Sequence, residues 1–144
     1  MIQYKDNLTE KEFIELKFIL KDLKDFYLDF YITKDNLRLF IKDNPELLEE
    51  CLKKDEKIAF CKKGIAFTYG LKDERYRTYV KIVAEDKNTA DKLLQVIDWN
   101  LKYEILYCKV KKNNPIVNVL KNRNFKFNGS RGKEILLKKE ANNE

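Results

Sequence analysis

The 144 residues carry 30 Lys/Arg against 24 Asp/Glu, a net charge of +6, and are 38% charged and 44% hydrophobic, the balance of one soluble globular domain with a core rather than of a disordered chain. Histidine is absent, which excludes imidazole-bearing zinc sites and histidine-activated nucleophiles, and three cysteines, odd in number and far apart, argue against a disulfide framework. No apolar run approaches the ~20 residues of a membrane span, and the opening Met-Ile-Gln-Tyr-Lys-Asp lacks the apolar region of a signal peptide, so no membrane partner and a cytoplasmic location are expected.

Residues 2–5 suggest a short edge strand. Thr9-Glu-Lys-Glu12 reads as a capping box, and Phe13, Leu16, Ile19, Leu20 and Leu23 then form a helical stripe to about Lys24. The aromatic run 25–33 alternates like a strand, although its composition also allows helix. Asp35 opens a short helix, and Asn44-Pro45 opens another, with proline at the first helical position.

Lys57 to Lys62 and Ile65 to Tyr69 predict two strands joined as a hairpin around Lys63-Gly64, followed by a charged loop from Gly70 to Tyr76. From Arg77 to Asp86 the residues alternate: Thr78, Val80, Ile82 and Ala84 point one way, and Tyr79, Lys81, Val83 and Glu85 the other. The period then changes to that of a helix, with Ala90, Leu93, Leu94, Ile97 and Leu101 on one side. Asn88 is placed to cap this helix, with Asp91 in its first turn. The turn from Asp86 to Ala90 would aim backbone N–H groups at one point, an arrangement suited to phosphate.

A strand at 104–111 follows. Asn113-Asn114-Pro115 opens a helix with Ile116, Val117 and Leu120 inward, and Asn122-Arg-Asn124 ends it, because asparagine tolerates the left-handed conformation used there. Two last strands pair around Asn128 to Gly132. The order implies an α/β fold: a single domain over residues 1–144 with one central mixed sheet and helices on both faces. Charge is uneven, since residues 100–144 hold eleven Lys/Arg against four Glu, a net of +7 that leaves −1 for residues 1–99. That half suits an anionic partner. The frequency of Lys, Asn and Ile suggests an AT-rich bacterial or phage genome.

With these elements in place, the chain resembles the GNAT family of N-acetyltransferases over roughly residues 5–139. The most specific segment is Asn113-Asn-Pro-Ile-Val-Asn-Val-Leu-Lys-Asn-Arg-Asn-Phe125, similar to the family's Asn-x-x-Ala-x-x-x-Tyr-x-x-x-Gly-Phe. The resemblance implies acetyl-CoA as cofactor and direct attack by an amine, carried on a small molecule or a protein, on the thioester. It implies that Ile82, Val83 and Ala84 line the pantetheine arm. Lys87, Asn88, Thr89 and Ala90 would form the pyrophosphate turn, and Asn113 would sit near the arm. Glu85 is the candidate base, and Tyr107 and Tyr76 are candidate proton donors. The sequence departs from the family pattern in three places: the turn Glu-Asp-Lys-Asn-Thr-Ala90 has no glycine, Leu120 stands where the family often has tyrosine, and Asn124 stands at the glycine.

A second reading keeps the fold without the chemistry, as a binding module for a protein or nucleic acid. Arg75-Tyr-Arg-Thr-Tyr79 interleaves cations and rings as single-strand binders do, and Lys109, Lys111, Lys112, Arg123, Lys126 and Arg131 could track phosphates.

Overall fold

A computed structural model describes residues 2–6, 9, 11, 27–28, 57–71, 74–84 and 86–142. The expected helices after Thr9, Asp35 and Pro45, the aromatic run apart from residues 27–28, Cys51 and Glu85 lie outside the described residues, as do the side chains of Tyr76 and Val83.

The strands are β1 (Gln3–Lys5), β2 (Tyr27–Leu28), β3 (Ile58–Cys61), β4 (Gly64–Leu71), β5 (Glu74–Ala84), β6 (Leu106–Lys111), β7 (Lys126–Arg131) and β8 (Glu134–Lys139). Two helices are described, α1 (Lys87–Asn100) and α2 (Ile116–Asn122). The sheet runs β1-β3-β4-β5-β6-β8-β7, with β2 attached to β5 off this path. Among the described residues, only β5 and β6 pair in parallel; the other pairings are antiparallel.

The alternation read from the sequence sorts the faces. Ala66, Val80, Ile82, Ala84, Leu106, Cys108, Val110, Ile135 and Leu137 form one buried layer with the inward side chains of α1 and α2. Both described helices therefore cover the same face. The other expected helices fall among residues outside the described set. Leu93, Leu94 and Ile97 of α1 have no exposed surface, and burying each contributes roughly 2 kcal/mol.

Three boundaries differ from expectation. The expected Gly70–Tyr76 loop is largely strand, because β4 runs to Leu71, which pairs with Glu74 at the start of β5. The β3–β4 turn falls on Lys62-Lys63, with Cys61 opposite Gly64. The last hairpin turns at Gly132-Lys133, so β7 continues through residues 128–131. Its register shifts between Phe127 and Ser130, where Gly129 has φ 142°, a conformation that favours glycine.

The end of α2 follows the sequence closely. Asn124 has φ 70°, the one non-glycine positive φ among the described residues. Its N–H donates to the Lys121 carbonyl at 3.2 Å, and the Phe125 N–H to that of Leu120 at 3.1 Å. The left-handed residue turns the chain so that Phe125 enters the core, 1% exposed.

Candidate active site

The only parallel pairing among the described strands is also the shortest contact between long ones. β5 and β6 share two register pairs, Thr78 with Leu106 and Tyr79 with Tyr107. Both strands then continue, β5 to Ala84 and β6 to Lys111, without pairing to each other. The result is a V whose apex is the Tyr79–Tyr107 rung. Inside it, Tyr27 pairs with Ala84 and Leu28 with Val83. Since β4 already pairs with Val83 and Ala84 along the other edge of β5, β2 occupies the edge that faces β6.

The apex is aromatic and cationic on the face away from α1 and α2. The Tyr79 and Tyr107 rings lie 5.8 Å apart, tilted at 44°. Arg77 stands 4.7 Å from the Tyr107 centroid and Lys138 5.8 Å from it, while Lys109 is 5.1 Å from the Tyr79 centroid. Tyr79 is wholly buried, and Tyr107 is half-buried. Lys138 pairs with Glu140 at 3.1 Å; that partner raises the ammonium above the ordinary lysine pKa, with Arg77 acting the other way. Lys81, on the same face of β5, is 4% exposed.

At the open end of the V, α1 begins with a cap different from the expected one. Asp86, not Asn88, is the N-cap; its Oδ1 accepts the Thr89 N–H at 2.7 Å. Its backbone is extended, as a cap residue's must be, and Thr89 stands three residues on, where the orphan N–H points back at the carboxylate. Asn88 instead lies inside the first turn, and Asp91 falls beyond it. The Thr89 hydrogen bond is the main cause that holds the Asp86 pKa below the usual carboxylate value. A negative group of the chain itself thus faces the positive end of the helix.

The expected pyrophosphate residues divide here. Lys87 and Asn88 are exposed; Thr89 and Ala90 are buried, and Ala90 packs in the core. Lys87 and Asn88 line a hollow of about 480 Å³ together with Asp91, Val119, Asn122 and Arg123. Across it, Arg123 grips Asp91 with two hydrogen bonds of 3.0 Å, which raise the guanidinium pKa further. Asn113 is exposed in the turn after β6; its neighbour Asn114 accepts the Ile116 N–H at 3.0 Å and so starts α2. Leu120 is fully buried.

No protein-family model and no curated protein sequence matches the chain. Solved structures do. The PaiA N-acetyltransferase of Thermoplasma acidophilum, in complex with coenzyme A, superposes with a TM-score of 0.65 at 11% identity, over 97% of this chain and 99% of that one. The chain has the GNAT fold. An acetyltransferase of the GNAT family from Streptococcus pneumoniae matches with a TM-score of 0.54 at 17% identity, over 96% of this chain and 99% of that one. The Campylobacter jejuni N-acetyltransferase PseH, in complex with acetyl coenzyme A, matches with a TM-score of 0.60 at 13% identity, over 99% and 100%.

Of the sequence-predicted site residues, Tyr107 stands at the apex and Lys87 and Asn88 at the far end. Ala84 closes β5 five residues beyond Tyr79, roughly 16 Å at the rise of a strand. The sequence reading missed Arg77, Lys109 and Lys138 as neighbours of the apex. Lys138 reaches it through the β6–β8 pairing of residues about thirty apart, which no local pattern announces. Among the described residues, no group of His, Cys, Asp and Glu is arranged to hold a metal, and no helix is long and apolar enough to cross a membrane.

Proposed function

We propose that the chain transfers an acetyl group from acetyl-CoA to an amine. The observation that carries this reading is the parting of β5 and β6 after the Tyr79–Tyr107 rung, which leaves two extended strands with a wedge between them. Acetyl-CoA would supply the activated acyl carbon. The β5 backbone at Ile82, Val83 and Ala84 would hold its extended arm, with Lys87 and Asn88 near its phosphates and Asn113 beside the opening. As the amine nitrogen bonds to the acyl carbon and the carbon–sulfur bond breaks, Tyr107 would protonate the departing sulfur. The proton that the amine loses would pass to water, because Glu85, the expected base, directly follows Ala84, roughly 16 Å along β5 from the Tyr79–Tyr107 rung.

Two features oppose cofactor binding and shape the proposal. The Asp86 carboxylate sits on the helix end that phosphate would use, and β2 pairs with Val83 and Ala84 where the arm would lie. Both must yield to the ligand. They also favour a second reading, a GNAT fold retained as a binding module, which the buried Leu120 at the family's tyrosine position supports.

The test is thermal unfolding with and without acetyl-CoA, followed by thiol release in the presence of a panel of amines. A ligand at 100 times its dissociation constant stabilises by ~2.7 kcal/mol. A clear rise in Tm with amine-dependent thiol release supports the enzyme; an unchanged Tm at millimolar acetyl-CoA leaves the binding module.

A further inference from the structure

Among the described residues, three of the four large apolar side chains left exposed fall within seven positions, at the end of α1 and in the turn after it: Trp99 at 69%, Tyr103 at 60% and Ile105 at 41%. Single exposed apolar residues are ordinary, but a cluster of them marks an interaction surface. The turn that carries this one is fixed. The Leu101 N–H donates to the Ile97 carbonyl at 2.9 Å, the Glu104 N–H to that of Leu101 at 3.0 Å, and the Asn142 N–H to that of Lys102 at 2.7 Å. Lys102 Nζ lies 4.2 Å from the Trp99 centroid and 5.3 Å from the Tyr103 centroid, so one ammonium holds both rings. Little ordering cost is left for a partner to meet.

We propose that this patch is a self-association surface, covered by the same patch of a second copy of the chain across a two-fold axis. Charge selects that occupant. The patch carries one cation, Lys102, and one exposed acid, Glu104, and among the described residues neither forms an ion pair. In a two-fold interface residue i meets j and j meets i, so Lys102 of each copy faces Glu104 of the other while the rings cover one another. Glu104 opposes an anionic membrane surface, and a partner of a single sign satisfies one of the two charges and repels the other. A covered Trp or Tyr buries about 150–250 Å², so at these exposures the two rings present roughly 250 Å² per copy. With Ile105 and the Lys102 stem on both sides, the apolar centre comes to roughly 700 Å². A polar rim brings the whole to the lower end of the standard size range, which makes the dimer weak and concentration-dependent. The acetyl-transfer reading bears on neither the patch nor its partner.

The experiment is sedimentation equilibrium of the full chain from low micromolar to near-millimolar concentration, with Trp99 emission read in parallel, since the chain holds no other tryptophan. The mass is expected to rise toward that of two chains, and the emission to shift to shorter wavelength as the indole leaves water. Lys102→Glu and Glu104→Lys each set like charges face to face and are expected to weaken the dimer at least about tenfold while circular dichroism stays native. An equimolar mixture of the two variants is expected to recover the wild-type affinity, because every facing pair is again opposite in sign. A chain that stays monomeric throughout, a dimer indifferent to both reversals, or a mixture that associates no better than its components overturns the proposal. So does a blue-shifted emission on phosphatidylserine vesicles from a chain that stays monomeric in solution, which assigns the patch to a lipid surface.

Discussion

Tyr79 and Tyr107 form the last shared rung of β5 and β6, their rings 5.8 Å apart, and everything beyond them on the two strands diverges. Of the two phenols, Tyr79 is enclosed and Tyr107 is half-open, so only the second can meet a substrate and exchange a proton with it. Tyr107→Phe keeps the ring under Arg77 and Lys138 and removes the proton. Acetyl transfer should fall by about 10²-fold or more, with acetyl-CoA affinity and Tm nearly unchanged. Thiol-release rates and a melting curve read both quantities; an unaltered rate removes Tyr107 from the mechanism.

Asp86 sets the affinity for anything anionic at the start of α1. Asparagine caps a helix about as well as aspartate, so Asp86→Asn keeps the bond to the Thr89 N–H while withdrawing the charge. Coenzyme A should then bind more tightly, by the factor of about two to five that 0.3–1 kcal/mol of helix-end electrostatics implies. Calorimetric titration against coenzyme A measures it, with Asp86→Ala as the control that loses the cap and about 1 kcal/mol of stability.

The same carboxylate makes stability pH-dependent. Its folded pKa is depressed, chiefly because the Thr89 N–H bonds the charged form, whereas in the unfolded chain it returns to ~3.9. The unfolded state therefore takes up a proton first as pH falls. The stabilisation is complete above the unfolded value and fades as pH drops through the lower folded one. Wild type should lose stability relative to Asp86→Asn below about pH 4, and denaturant titrations at pH 3 and pH 6 should show the gap close.

How much of this could be read from the sequence depends on the range of the interaction. β5 and α1 were legible because their periods, two and then 3.6, are local and fall on the residues that proved buried: Val80, Ile82 and Ala84, then Ala90, Leu93, Leu94 and Ile97. Asn124 was legible as a helix end because its conformational tolerance is its own. The cap was misassigned because Asp86 and Asn88 are chemically equivalent caps, and only the backbone path decides which faces an orphan N–H three residues on. The apex could not be assembled from sequence. Tyr107, Lys138 and Lys126 meet only through strand registers, and register is a property of the whole sheet. The Tyr27–Leu28 pairing with β5 is non-local in the same way.

That pairing gives the fourth expectation. β2 contributes two residues to the edge of β5 inside the V, too short a ladder to persist without help from elsewhere in the chain. Proline at position 28 removes one backbone donor and cannot sit in a ladder between two strands. Leu28→Pro should therefore speed hydrogen exchange at whichever of Val83 and Ala84 turns its N–H toward β2, and raise acetyl-CoA affinity, since less pairing must be given up on binding. Faster exchange with lower affinity would mean that residues 27–28 help to hold the ligand rather than stand in its place.

Two ion pairs of α1 test how burial, rather than distance, sets an interaction's worth. Lys139 Nζ lies 2.7 Å from Asp98 Oδ1, with side chains 3% and 24% exposed; the contact is an ion pair whose geometry falls short of a hydrogen bond. Arg123 meets Asp91 at 3.0 Å through two well-formed hydrogen bonds, with side chains 26% and 37% exposed. On bonding alone the second pair is the better. Yet solvent screens it, and exposed pairs contribute about 0–1 kcal/mol. Removing Asp98 instead leaves the buried Lys139 ammonium with the Glu140 carbonyl at 3.3 Å and no countercharge, a loss of roughly 3–5 kcal/mol where a buried charge goes uncompensated. Asp98→Asn should thus cost several-fold more stability than Asp91→Asn in urea denaturation. Adding Lys139→Met to Asp98→Asn should recover much of that loss, because the stranded charge goes with it. If the two single substitutions cost the same, the Lys139 ammonium has found water or another partner, and the burial argument fails.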